Sequence, residues 1–252
     1  MYASIVKSTI SRKQETQLDI EIGLSALNSG IYKIRFRSDC RYLLIHQVTN
    51  GQDYSDFVRT LPSNVRYIES NEVGLSKSRN LAIENAKSDY LWIMDDDVDI
   101  YDEALPYIYH FTTKYNESPL LIVSHTLNKD AIETNEKIKR VNIVSAARIC
   151  SIDMIIKISA LKNVRFNTGF GLGTKYPSGE EYIFACELIR SGGRIYKSNK
   201  VCSFHPEIAP STKLYPNKDK LKTKMKMFIA ANGFTVGFIL YMAFCIKKLL
   251  SR

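Results

Sequence analysis

The sequence predicts an α/β fold built on a mostly parallel sheet with helices flanking it. Three observations carry this. Short, uniformly apolar runs alternate with stretches of helical periodicity, the pattern of strand–helix–strand units. The runs are too short and too evenly apolar to be amphipathic helices, so they read as strands buried on both faces. One of them, "YLWIM" at residues 90–94, runs straight into Asp95, Asp96 and Asp97. In open α/β sheets, ligands bind outside the carboxyl ends of the strands. Carboxylates at that edge repel one another and call for a neutralising partner.

The elements follow in order. "ASIV" (3–6) is expected as a first strand, and residues 11–30 as a helix capped by Ser11 and stopped near Gly30. "RYLLIHQV" (41–48) and "VRYIE" (65–69) are the next strands. "GLSKSRNLAIENAKS" (74–88) is a helix with Leu75, Leu81, Ala82 and Ala86 available for one face. "YLWIM" follows, with Trp92 assigned to the core. "PLLIVSH" (119–125) is a strand, "GEEYIFACELIRSGG" (179–193) a helix ended by its glycines, and "VCSFH" (201–205) the closing strand.

The 252 residues are 45% hydrophobic and 24% charged, enough apolar material for a real core. Five scattered cysteines without a C-x-x-C argue for a reducing compartment and against a disulfide framework or zinc knuckle. "MYASIVKSTI" lacks the charged start and long apolar run of a signal peptide. The net charge of +9 is uneven: residues 213–252 carry +8, with Asp219 their only acid, and the rest carries +1. The body is neutral, which disfavours nucleic acid as a partner. The expected organisation is therefore a catalytic domain over 1–212 and a basic, apolar tail over 213–252. Within the tail, residues 227–246 hold no charge and have the length of a bilayer span. Lysines flank this run on both sides and attract anionic lipid head groups. A spanning helix, an interfacial helix and a soluble packed helix all remain open for it.

The block "GLSKSRNLAIENAKSDYLWIMDDDVDI" resembles the central signature of the family 2 glycosyltransferases, in bacterial surface-polysaccharide form, which have the GT-A fold. Gly74, Ser76, Arg79, Asn80, Ala86, Asp89 and the D-x-D at residues 95–97 carry the match. A second block, residues 166–205, is similar to the family's acceptor half: a glycine-rich loop with Gly171 and Gly173, the acidic pair Glu180–Glu181 opening a helix, and the closing His205. The resemblance implies an inverting, metal-dependent transfer of a sugar from a nucleotide-sugar donor to a hydroxyl of a lipid-linked or polysaccharide acceptor. It implies Glu181 as catalytic base, with Glu180, Gly171 and Gly173 on the acceptor. Lys77, Arg79, Asp95 and Asp96 would meet the donor. Asp97, Asp95 and His205 would hold Mn²⁺ or Mg²⁺. The expected location is the cytoplasmic face of the inner (plasma) membrane, peripheral or anchored by the C-terminal helix.

Simpler roles stand beside these: a salt bridge from Arg79 to the aspartates, helix capping by the glutamates, turn geometry for the glycines. The chain also departs from the family pattern. "KSTISRKQ" stands where Pro-Thr-x-Asn is usual, and "HQVTNGQD" where Asp-Asp-Gly-Ser is usual, with Gln47, Asn50 and Asp53 as substitutes for reading the base. Two other classes compete. A sugar-nucleotide nucleotidyltransferase wants a glycine-rich phosphate loop that "KSTISRKQ" lacks. A non-catalytic membrane-binding protein leaves the acidic blocks unexplained.

Overall fold

The computed structural model describes residues 19–129, 135–206 and 217–250. Strands β1 (Ile20–Leu27), β2 (Tyr42–Gln47), β3 (Val65–Ser70) and β4 (Tyr90–Asp95) run parallel in the order β3-β2-β1-β4. Helix α1 (Ser55–Arg59) joins β2 to β3, and α2 (Leu75–Asn85) joins β3 to β4. Beyond β4 the sheet continues through β8 (Met154–Lys157), β6 (Leu120–Thr126), β9 (Ile195–Phe204) and β5 (Asp99–Ile100), with β7 (Ile138–Val141) also on β9. Helix α3 (Ala104–Lys114) precedes β6, and α4 (Glu180–Arg190) precedes β9.

Alternate residues of the central strands divide between two cores, as the two-residue period of a strand requires. Leu43, Ile45, Leu91 and Ile93 face one core with α2 and α4; Tyr42, Leu44, Tyr90, Trp92 and Met94 face the other with α3. The sheet is thus covered on both sides. That is why its strands read as continuous apolar runs.

The helix expected over residues 11–30 is not what forms over its second half. Residues 20–27 are the strand β1, central in the sheet. The alternation Ile20, Ile22, Leu24, Ala26 is a strand period, and Glu21 and Ser25 between them masked it. Both are buried by specific partners: Arg66 Nη1 donates to Glu21 Oε1 at 2.9 Å, and Ser78 Oγ to Ser25 Oγ at 2.7 Å. Residues 3–6 and Ser11 lie outside the described residues. The segment following β1 is therefore the 3-10 turn Asn28–Lys33, not "KSTISRKQ". The other expected strands and helices form, and "VCSFH" is the end of the longer β9. Helix α2 turns a polar face inward: Ser76, Ser78 and Arg79 are buried along with Ala82 and Ile83.

The tail is one long helical element, α5 (Asn217–Leu250), broken at Gly233, where φ is 74° and ψ is 172°. A straight helix would separate residues 228 and 244 by about 24 Å. Here the rings of Phe228 and Phe244 are 6.1 Å apart. A Cβ on Gly237 would stand 2.5 Å from the Phe228 carbonyl oxygen, so only glycine lets the two limbs meet backbone to backbone. The first limb joins the body. Met227, Phe228 and Ala231 are buried in the core beside α4, and Asn232 Nδ2 donates to Tyr182 Oη at 2.9 Å. The second limb leaves Phe234, Val236, Phe238, Ile239, Met242, Ile246, Leu249 and Leu250 exposed, Phe234 at 73% and Leu250 at 83%. By length and composition Asp219–Leu250 is apolar enough to cross a membrane. Its limbs are nevertheless folded back on each other, so residues 227–246 do not form a straight span.

Candidate active site

β4 delivers three carboxylates to the carboxyl edge of the sheet, and each meets a different environment. Asp95 accepts from Arg79 Nη2 at 3.3 Å. Asp96 is half-buried against Gly30: a Cβ on that glycine would run into Asp96 Oδ2 and displace the carboxylate. Burial pushes the Asp96 carboxyl up from its ordinary value, the neighbouring Asp97 adds to this, and Lys33 opposes it. Asp97 Oδ1 lies 3.3 Å from His205 Nε2.

Arg79 is the tie between the two halves of the site. Its side chain is 1% exposed. Nη1 donates to Glu180 Oε1 at 2.9 Å, and Nη2 to Ser151 Oγ at 2.7 Å as well as to Asp95. Expected to meet donor phosphate, Arg79 instead sits beneath the site and holds its carboxylates, the simpler role named for it above. A buried guanidinium needs such partners, because an unpaired charge in the interior is very costly. Among the described residues, Arg79 Nε and Glu180 Oε2 are buried polar atoms with no partner. Glu180 is itself 3% exposed, so it anchors α4 from below rather than lining the surface.

Glu181, one residue on, is only half-buried. Burial pushes its carboxyl up to about 7, with the adjacent Glu180 adding to the shift; Arg79 and Lys224 pull it back. A carboxyl that titrates near neutrality is suited to taking a proton in a reaction. Gly171 (φ 103°) and Gly173 (φ 75°) close the glycine-rich loop onto α2. A Cβ on Gly171 would meet Ser76 Oγ at 2.9 Å and Glu180 Cδ at 3.1 Å. Ser76 Oγ donates to the Phe170 carbonyl at 2.6 Å, and Leu75 N to the Leu172 carbonyl at 2.9 Å. The glycines therefore serve close approach and turn geometry. Lys77 is more exposed and pairs with Glu72 at 2.9 Å.

The metal set that the resemblance implies is Asp97, Asp95 and His205. The structure pairs Asp97 with His205, while Asp95 turns one oxygen to Arg79. Among the described residues no three His, Cys, Asp or Glu side chains converge into a ready cage. The pair still fits Mn²⁺ or Mg²⁺ in a site completed by substrate, because these ions usually take one or two protein carboxylates with phosphates and water. Three adjacent carboxylates, one of them pushed up by burial and by its neighbour Asp97, leave a charge excess for a cation to relieve.

Several contributors were not singled out from sequence. His125, the last residue of "PLLIVSH", lies at a strand's carboxyl end, a signal that was available. Its Nδ1 is 2.9 Å from Oδ1 of Asp153, which is 2% exposed, and its ring centroid is 6.2 Å from that of His205. Ser151 and Gly30 carry no local signal. Of the substitutes for base reading, Gln47 is buried and donates to the carbonyls of Glu72 and Gly74. Asn50 bonds Gln52 and Tyr54, and Asp53 accepts from Ser55 N at 2.8 Å, just before α1. Trp92 is core, its Nε1 donating to the Ile152 carbonyl at 2.8 Å.

The family profile for glycosyl transferase family 2 matches residues 50–159. No curated protein matches by sequence. Among solved structures, S. aureus TarS 1–349 in complex with UDP is similar with a TM-score of 0.59 at 16% identity, over 84% of this chain and 65% of that one. The same TarS fragment with UDP-GlcNAc gives 0.58 at 14%, covering 84% and 66%. The mannosyltransferase PcManGT from Pyrobaculum calidifontis, in complex with GDP-Man and Mn²⁺, gives 0.58 at 13%, covering 86% and 65%. The chain thus spans slightly less than two thirds of these proteins. It has the GT-A fold of these structures, and its residues 50–159 resemble the family 2 profile.

Proposed function

We propose that the protein is an inverting, metal-dependent glycosyltransferase that moves a sugar from a nucleotide-sugar donor to a hydroxyl of a lipid-linked or polysaccharide acceptor. The observation that carries this is the Arg79 tie. One buried side chain fixes the D-x-D strand end and the Glu180–Glu181 helix start to each other. A transferase needs that juxtaposition, leaving group on one side and base on the other. The family match, and similar folds solved with UDP, UDP-GlcNAc and GDP-Man, favour this reading over a nucleotidyltransferase.

In the reaction, Glu181 takes the proton of the acceptor hydroxyl. The hydroxyl oxygen bonds to the anomeric carbon from the face opposite the leaving group, and the bond to phosphate breaks with its electron pair on the diphosphate. Asp97 and His205 would hold a divalent cation, whose contribution when bound is to offset charge on the diphosphate as a Lewis acid. Asp96, kept close by Gly30, shapes the floor beside it. Calorimetry with UDP and GDP tests the site. Binding is expected to need Mn²⁺ or Mg²⁺ and to lose that dependence in Asp97→Ala; equal binding in EDTA excludes the metal role.

The exposed second limb of α5, with Lys247 and Lys248 at its end, would lie on the cytoplasmic face of the membrane as an interfacial element. The boundary between body and membrane element is then at Gly233 rather than near residue 212. Deleting residues 234–252 should give a folded protein that no longer sediments with anionic vesicles. Deleting 213–252 also removes Met227 and Phe228 from the core. Losses of this kind cost about 2–5 kcal/mol each, so the longer deletion should unfold well below the shorter one in a thermal melt. Full-length protein that ignores anionic vesicles, or two deletions of equal stability, would overturn this arrangement.

A further inference from the structure

The first limb of α5 reaches the start of the helix that carries the acidic pair. Met227 is fully buried against Gly179, the residue that opens α4. A Cβ on Gly179 would stand 2.6 Å from Met227 Cγ and 2.8 Å from Sδ. Gly179 has a φ of 107°, so the backbone there suits glycine, and the thioether fills the space a side chain would take. Half-buried Lys224 lies on the same face, its Nζ 3.8 Å from Met227 Sδ. Phe228 packs edge-on to Tyr182 with centroids 5.2 Å apart, and Asn232 bonds the same tyrosine. The first turn of α4 is therefore gripped by α5 at residues 179 and 182, on both sides of Glu181.

We propose that α5 is a wall of the active site, in which Met227 fixes the start of α4 and Lys224, packed on Met227, is a positioning residue for Glu181. This rests on Glu181 being the base of the proposed transfer. The charged and titratable groups acting on Glu181 are Glu180 on its own helix, Arg79 from α2, Cys150 from the loop before β8, and Lys224 from α5. The Cys150 thiol is pushed up to about 12 by burial and stays neutral. Arg79 is already shared among Asp95, Glu180 and Ser151. Lys224 is a positive charge from outside that network, and it acts on Glu181. The tail would then do two things with one element: its outer limb meets lipid, and its inner limb sets the base.

The test is the pH profile of transfer by the full chain for wild type, Lys224→Met, Lys224→Arg, and the exposed control Lys226→Met. Removing a positive charge beside a carboxylate raises its pKa. The acidic limb should therefore move up by about half a unit in Lys224→Met. At pH 7 the ionised fraction falls from about a half to about a quarter, a roughly two-fold loss that disappears by about pH 9. Lys224→Arg should restore the profile, and Lys226→Met should not move it. A limb that stays in place while activity drops equally at every pH means that Lys224 only supports the fold, and the proposal fails. The titration of Glu181 followed by ¹³C NMR of the glutamate carboxyls, assigned with Glu181→Gln, needs no turnover. If wild type transfers no sugar but this titration still shifts in Lys224→Met, the transferase reading fails and the α5 assignment stands.

Discussion

Glu181→Gln is expected to abolish transfer while leaving donor binding intact. Glutamine keeps the size of the side chain and its place at the start of α4, but it cannot take a proton. Losing a positioned general base typically costs ~10²–10⁴-fold in rate. The loss should fall on kcat, because the proposed donor site is the D-x-D edge rather than α4. In the wild type the base works only when ionised. With the carboxyl pushed up to about 7 by burial and by Glu180, activity should rise with pH through neutrality and then level off. Glu180 and Glu181 are coupled neighbours, so that limb reports the pair as a unit. Glu180→Gln makes a useful contrast. It weakens the partner of Arg79 and should lower stability before it lowers the rate at the base. If Glu181→Gln transfers at the wild-type rate and Glu180→Gln does not, the assignment within the pair is reversed.

Arg79→Met should be the most destabilising single substitution in the site. Methionine fills most of the space but leaves Glu180, 3% exposed, and Asp95 without their cation. Removing one member of a buried ion pair strands the other, at about 3–5 kcal/mol. That is a large share of the ~5–15 kcal/mol that holds a typical domain folded. Chemical denaturation measures it. Arg79→Met combined with Glu180→Gln should recover part of the loss, since the amide needs no counter-charge. A loss below about 1 kcal/mol in Arg79→Met means that water screens the network and that the tie does not organise the site.

Much of this was legible in the sequence because the relevant signals are local. β2 and β4 are buried on both faces, so their apolar runs stand out. The D-x-D, the Glu180–Glu181 pair and His205 stand in the order and spacing of the family they resemble. What failed depends on contacts distant in the chain. β1 reads as part of a helix because Glu21 and Ser25, on the face opposite Ile20, Ile22, Leu24 and Ala26, break its apolar run, and the partners that make them tolerable, Arg66 and Ser78, lie more than forty residues away. The inward polar face of α2 has the same cause: Ser78 and Arg79 are buried for partners on β1, β4 and α4. Gly30 is legible only once Asp96 is seen against it. The fold of α5 on itself turns on Gly233 and Gly237, and in sequence those glycines look only like weak points in a membrane span.

The central claim is that the acidic edge and the acidic helix together run a metal-assisted transfer from a nucleotide sugar. The most direct measurement is release of nucleoside diphosphate from a panel of UDP- and GDP-linked sugars by the full chain, with Mn²⁺ or with EDTA, in wild type and Asp97→Ala. Release from at least one donor is predicted with Mn²⁺, with loss of that release in EDTA and in Asp97→Ala. Release that persists unchanged in EDTA and in Asp97→Ala, or no release from any donor in the presence of anionic vesicles and Mn²⁺, would contradict the account.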